Sequence, residues 1–195
     1  MIKNFIKFFF IYNFIFFQLI ADEINNFEIS GISLGDSLLQ HYDRSEIKTN
    51  VANKIIYPDS KFAAIAMPKK DDNFEFLQVT YKDNDPKYKV LSIAGRIQFY
   101  NDIAGCKKQM EEILSSLKNS YKDMKYVKED TPYTFDKSGK SLTYGYVFYL
   151  EKGAIDLYCT DLDNEYIKKT GHKDELRLTL HSQEIREYLV KQFHK

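Results

Sequence analysis

The spacing of apolar positions changes period several times along this chain, and each change marks an element. Segments 62–67, 74–82 and 89–99 are rich in β-branched and aromatic residues and are separated by polar turns at 68–73 and 83–86, which predicts an antiparallel meander. Segments 142–150, 154–161 and 175–181 predict a second. In the last of these, Leu176, Leu178 and Leu180 alternate with Glu175, Arg177, Thr179 and His181, the period of two that puts apolar side chains on one face of a sheet. Between the meanders, Ile103, Cys106, Met110, Ile113, Leu114, Leu117 and Tyr121 recur every three or four residues, with Lys107, Lys108, Glu111, Glu112 and Lys118 on the other side. That stripe predicts an amphipathic helix over 102–121. A closing helix is expected to start at the cap residue Ser182 and to align Ile185, Tyr188, Leu189 and Phe193. Upstream, 26–35 reads as a short strand, Asp36-Ser37 as the cap of a brief helix carrying Leu38, Leu39 and Tyr42, and 45–48 as a helical turn with Ile47 inward. Residues 128–140 read as a polar, turn-rich passage. The expected fold is α+β, a mostly antiparallel sheet of two meanders with a long central helix and a C-terminal helix packed on it.

The first 21 residues follow neither period. Lys3 and Lys7 precede an apolar run from Phe8 to Ile20, broken only by Asn13 and Gln18, and the small residue Ala21 stands before Asp22. This is the layout of a secretory signal. The alternative, a retained anchor, meets a run of about 13 residues where a spanning helix needs about 20. Residues 1–21 are therefore expected to be a signal peptide and 22–195 a single exported domain, periplasmic or secreted, that touches the membrane only transiently through its leader. Neither Cys106 nor Cys159 is near the leader, so no lipid-attachment cysteine is present there.

Register decides whether those two cysteines meet. With Lys152-Gly153 as a two-residue hairpin loop, Leu150 would pair Ile155, Phe148 would pair Leu157 and Tyr146 would pair Cys159, all on one face. Cys159 then points at the core, as does Cys106 on the helical stripe. An exported protein meets conditions in which such a pair oxidises, and a disulfide closing about 53 residues would stabilise by roughly 4 kcal/mol in the chain-entropy model. Two buried free thiols are the alternative. In the same register Val147 pairs Tyr158 on the far side with Tyr149 adjacent, an aromatic patch that serves either as a docking surface or as a second small core under a loop or the final helix.

Charge narrows the partners. Loss of Lys3 and Lys7 leaves a formal charge of −2 on the mature chain, and the 24 lysines outnumber four arginines, Arg44, Arg96, Arg177 and Arg186. Without a basic block, a nucleic-acid role is not expected. Ser138-Gly139-Lys140-Ser141 matches only the end of a phosphate-binding loop, since Thr134 stands where the earlier glycine belongs and strand signals follow; it reads as a turn. Asp161-Leu162-Asp163-Asn164-Glu165 lacks the glycine and the final acid of a calcium loop, with Tyr166 and His172 at those positions, and reads as a solvated loop. Asp83-Asn84-Asp85-Pro86 reads as turn chemistry. His41, His172, His181 and His194 are scattered, so no catalytic, cofactor or metal site is expected.

Phe27-Glu28-Ile29-Ser30-Gly31-Ile32-Ser33-Leu34-Gly35-Asp36-Ser37-Leu38-Leu39, followed by Ser45-Glu46-Ile47, resembles the opening of an uncharacterised family of small exported proteins from low-GC marine bacteria. The likeness continues through Ile93-Ala94-Gly95-Arg96-Ile97-Gln98-Phe99 to Gly139-Lys140-Ser141 and Cys159. More faintly, the opening resembles beta-lactamase-inhibitor-like folds and the small lipoprotein of outer-membrane barrel assembly, which implies a protein-binding module. The expected function is a non-catalytic module that binds an envelope protein without a cofactor. The alternatives are a binder of small apolar ligands between the sheet and the 102–121 helix, and a hydrolase in which His181 meets a serine or an acid.

Overall fold

The computed structural model describes residues 24–121 and 124–193. The expected leader over 1–21, the start of the mature chain at Asp22, and His194 lie outside the described residues.

Eight antiparallel strands form one continuous sheet: β3 (Ile55–Ile56), β4 (Phe62–Pro68), β5 (Phe76–Lys82), β6 (Ser92–Phe99), β7 (Tyr126–Pro132), β8 (Leu142–Leu150), β9 (Gly153–Asp161) and β10 (Asp174–Ser182). Their spatial order is β3-β4-β5-β6-β10-β9-β8-β7. Both expected meanders are present, and they join where β6 pairs β10, from Ser92 opposite His181 to Phe99 opposite Asp174. A separate hairpin, β1 (Glu28–Ile29) and β2 (Ile32–Ser33), precedes them. The helices are α1 (Arg44–Val51), α2 (Ile103–Ser120), α3 (Asn164–Thr170) and α4 (Gln183–Phe193). The fold is α+β, mostly sheet.

One face of the sheet carries the main core. On α2, Cys106, Met110 and Leu114 are buried with Tyr146, Phe148, Ile155, Leu157, Cys159 and Leu176 of the sheet. Cys106 and Cys159, 53 residues apart, form a disulfide with their Cα atoms 6.0 Å apart. The helix begins as its sequence demands, Asp102 accepting a hydrogen bond from the Gly105 N–H at 2.8 Å.

On the other face α4 seals a smaller core. Ile185 and Tyr188 are buried with Phe62 and Leu91, and the Tyr188 ring lies edge-on to Phe62 at 4.8 Å. Glu184 pairs with Lys82 at 3.0 Å, and the Arg186 guanidinium lies 4.5 Å from the centre of the Tyr149 ring.

Five local expectations are corrected. Residues 26–35 fold as a hairpin, because Ser30 and Gly31 both take positive φ, 53° and 73°, and reverse the chain. The passage 128–140 contains most of β7, a sheet-edge strand exposed on both faces and therefore without an apolar alternation to betray it. The segment after Asp161 is α3, not a solvated loop: Asp163 accepts from the Glu165 N–H at 3.0 Å, and Gly171 closes the helix at φ 72°. The hairpin turn is Glu151-Lys152, with Gly153 inside β9 opposite Leu150. Gly153 is a glycine for closeness and not for positive φ, since a Cβ there would lie 2.1 Å from the His181 carbonyl oxygen. The register moves by two residues, so every side chain keeps its expected face. Finally, Ser182 ends β10 with its hydroxyl unpartnered, and does not cap α4.

Candidate functional site: the open face of the sheet

Strand alternation puts Phe76, Gln78, Arg96, Gln98, Glu175, Arg177, His181, Asp156 and Tyr158 on the face away from α2. Because α4 crosses this face at the end marked by Phe62 and Tyr149, the other end is left to polar side chains and to aromatics from the loops.

That end is organised around two arginines. Arg96 and Arg177 stand directly opposite one another on β6 and β10. Like charges in that position repel, and one carboxylate serves both. The Arg96 Nε donates to Glu175 Oε2 at 2.7 Å and its Nη2 donates to the same oxygen, while Arg177 Nη2 reaches Glu175 Oε1 at 3.1 Å. Arg96 Nη1 donates to Gln78 Oε1 at 3.1 Å, and the guanidinium stacks 4.8 Å from the centre of the Phe76 ring. Burial, and then the Arg177 charge, pull Arg96 below its ordinary value against the opposing pull of Glu175; a guanidinium nevertheless stays protonated in a protein. Arg177 is the more open of the two, its side chain 38% exposed against 23%. Its Nε–H is buried without an acceptor.

Loop aromatics stand beside this cluster. Burial and the neighbouring Tyr166 raise the Tyr133 hydroxyl, with Arg177, Glu175 and Arg96 all close enough to act on it. The Tyr133 ring lies 5.8 Å from Tyr166 and 5.6 Å from Phe135. Further along, Lys173 Nζ donates to the Tyr100 hydroxyl at 2.8 Å and to Gln98 at 3.3 Å. Tyr100 and Phe135 are both exposed.

Nearer α4, Ser92 Oγ lies 3.0 Å from His181 Nδ1, and His181 Nε2 lies 3.1 Å from Asp156 Oδ2. The hydrolase alternative asked for such a convergence. Ser92, however, is only 4% exposed, and its hydroxyl meets Nδ1 while the acid holds Nε2, the reverse of the usual nucleophile arrangement. The chain Ser92–His181–Asp156 crosslinks β6, β10 and β9.

The expected patch is split by the structure. Val147 pairs Asp156 and not Tyr158, and at 5% exposure it offers no surface. Tyr149 is 40% exposed beneath Arg186. Tyr158 lies over Gly145 and donates its hydroxyl to Glu129 Oε2 at 3.1 Å. Between α2 and the sheet, the proposed place for an apolar ligand, the buried side chains and the disulfide occupy the interface; a shallow hollow of about 320 Å³ lies instead along the side of α2, at Gln109, Ile113 and Leu117. Ser138 to Ser141 is a turn gathered on Asp136, which accepts from Ser138 N–H at 2.9 Å, Ser138 Oγ at 2.8 Å and Ser141 Oγ at 2.6 Å. Ser141 Oγ in turn accepts from the Asp163 N–H at 2.9 Å, tying this turn to the start of α3. Among the described residues no three His, Cys, Asp or Glu side chains converge as metal ligands, and no helix is long and apolar enough to cross a membrane.

The arginine cluster carried one faint signal in the sequence: Arg177 interrupts a leucine alternation on its outward side. Its meeting with Arg96 depends on the β6–β10 pairing, 81 residues apart by number, which no local pattern encodes. Compared with known proteins, the chain matches no family model, no curated protein and no solved structure.

Proposed function

We propose that this chain is an exported, non-catalytic module that binds another envelope protein without a cofactor, and that it offers the arginine end of its open sheet face to that partner. The observation that carries the reading is a pair of guanidinium groups sharing one carboxylate among exposed aromatic side chains, on a sheet face that α4 covers at its other end. Arginine and tyrosine are the residues that supply most binding energy at protein interfaces. The buried Cys106–Cys159 bridge and the leader pattern of residues 1–21 support export. The filled helix–sheet interface favours this reading over binding of a small apolar ligand, and burial of Ser92 favours it over hydrolysis.

The test is site-specific photo-crosslinking in intact cells, with the crosslinker placed at Tyr100 or Phe135 on the open face, or at Ser115 on the exposed side of α2. Discrete adducts from the first two positions and none from Ser115 are expected. Equal adducts from all three, or from none, would overturn the proposal.

A further inference from the structure

We infer that the Arg96–Arg177 pair is a receptor for a carboxylate on an acidic segment of the partner; this deepens the reading above and rests on it. Three observations point the same way. First, the register forces two guanidinium groups to face one another, yet among the described residues Glu175 is the one carboxylate bonded to them, so the cluster of three groups keeps a net positive charge. Second, the donors are not used up. Glu175 and Gln78 take the Nε, Nη2 and Nη1 donors of Arg96, whereas Arg177 keeps an Nε–H with no acceptor. A buried donor left unpaired is costly, so its presence calls for an explanation. That Nε–H is out of reach of solvent, so an incoming carboxylate meets Arg177 on its exposed part, where a guanidinium presents parallel N–H donors at the spacing of the two carboxylate oxygens, and the Nε–H gains an acceptor when the side chain turns outward. Third, the setting is partly dry: Phe76 lies under Arg96, whose side chain is 23% exposed, and the Glu175 side chain is 11% exposed. A charge-assisted bond is stronger there than on an open surface.

The other acids on this face do not fill the role. Asp156 is engaged by His181, and Glu129, engaged by Tyr158, lies three strands from Arg177, about 14 Å at ordinary strand spacing. An acidic peptide is preferred over a mobile phosphate because the exposed Tyr100, held through Lys173 to Gln98 two residues along β6 from Arg96, offers contact area to a chain, which a small ion does not use.

The experiment is a titration of the disulfide-bonded mature chain with a hexaglutamate peptide, followed by the arginine Nε–Hε resonances in heteronuclear NMR. Hexalysine and inorganic phosphate serve as parallel probes. Hexaglutamate should move the Arg177 and Arg96 Nε signals and leave Arg186 in place. R177Q should weaken binding roughly tenfold to a hundredfold, the range expected for losing a charge-assisted hydrogen bond. R177K, which keeps the charge and therefore the fold, should retain part of the affinity, and R186Q should retain all of it. The inference is overturned if hexaglutamate leaves the Arg177 Nε signal unmoved, if R177Q and R177K both bind as the parent does, or if phosphate binds as tightly as the peptide. Crosslinks at Tyr100 that persist while hexaglutamate fails to bind would remove this inference and leave the binding module standing; loss of those crosslinks from the parent chain would remove the module itself.

Discussion

Gly145 lies midway along β8, where a Cβ would come 2.2 Å from the Leu157 carbonyl oxygen and 2.2 Å from the Tyr158 ring. The ring occupies the space that a side chain would need. Gly145→Ala should therefore displace Tyr158 and cost about 1–3 kcal/mol in urea unfolding, with the tyrosine hydroxyl released from Glu129. Asp136 shows the opposite economy, a charge made comfortable by its neighbours: the Ser141 hydroxyl first, and then the Ser138 N–H, lower its carboxyl to about 2. The sign of the pH effect follows from that depression. Above roughly pH 4, where an unfolded aspartate is also ionised, the turn contributes its full stability; as pH falls through about 2 the contribution is lost. Asp136→Asn should accordingly lower the urea midpoint at pH 6, and the gap between variant and parent should close at pH 2. This turn was legible as a turn from its Ser-Gly-Lys-Ser sequence, but Asp136, its organiser, was not, because a lone aspartate carries no periodicity.

At the scale of elements, α2 and the disulfide work as one unit. The bridge ties the helix to β9 across 53 residues, so replacing both cysteines by alanine should cost about 4 kcal/mol of unfolding free energy by the chain-entropy estimate, measured against the parent without reductant. Leu114→Ala, on the same buried stripe, should cost about 2–5 kcal/mol. Both the helix and the pairing of its cysteine were readable because the evidence for each is repeated: seven apolar positions mark the helix, and the two-residue slip of the β8–β9 turn leaves Cys159 facing the core regardless. β7 and α3 were not readable for the converse reason. Neither buries a stripe: β7 is an edge strand without a buried residue, its apolar Tyr126 and Val127 both exposed, and α3 contains no buried residue. Their shape is imposed by a neighbour, the β8 ladder in one case and the Asp163 cap with Gly171 in the other.

At the scale of the whole molecule, α4 closes the far side of a sheet that local pattern alone did not describe as continuous. Tyr188→Ala, which removes a ring packed against Phe62 and Tyr57, should cost about 3 kcal/mol and should raise amide exchange in α4 before it raises exchange in α2. The two meanders were legible separately from their alternation; the seam between them was not, because it pairs Ser92 with His181, far apart in the chain. That seam has a consequence for how the molecule comes into being. A polypeptide made from its amino end holds one edge of β6, paired with β5 on the other, bare until β10 arrives in the last ninth of the chain, so the two halves cannot zip together before then. Assembly waits on the tail, and contacts spanning so much sequence form slowly.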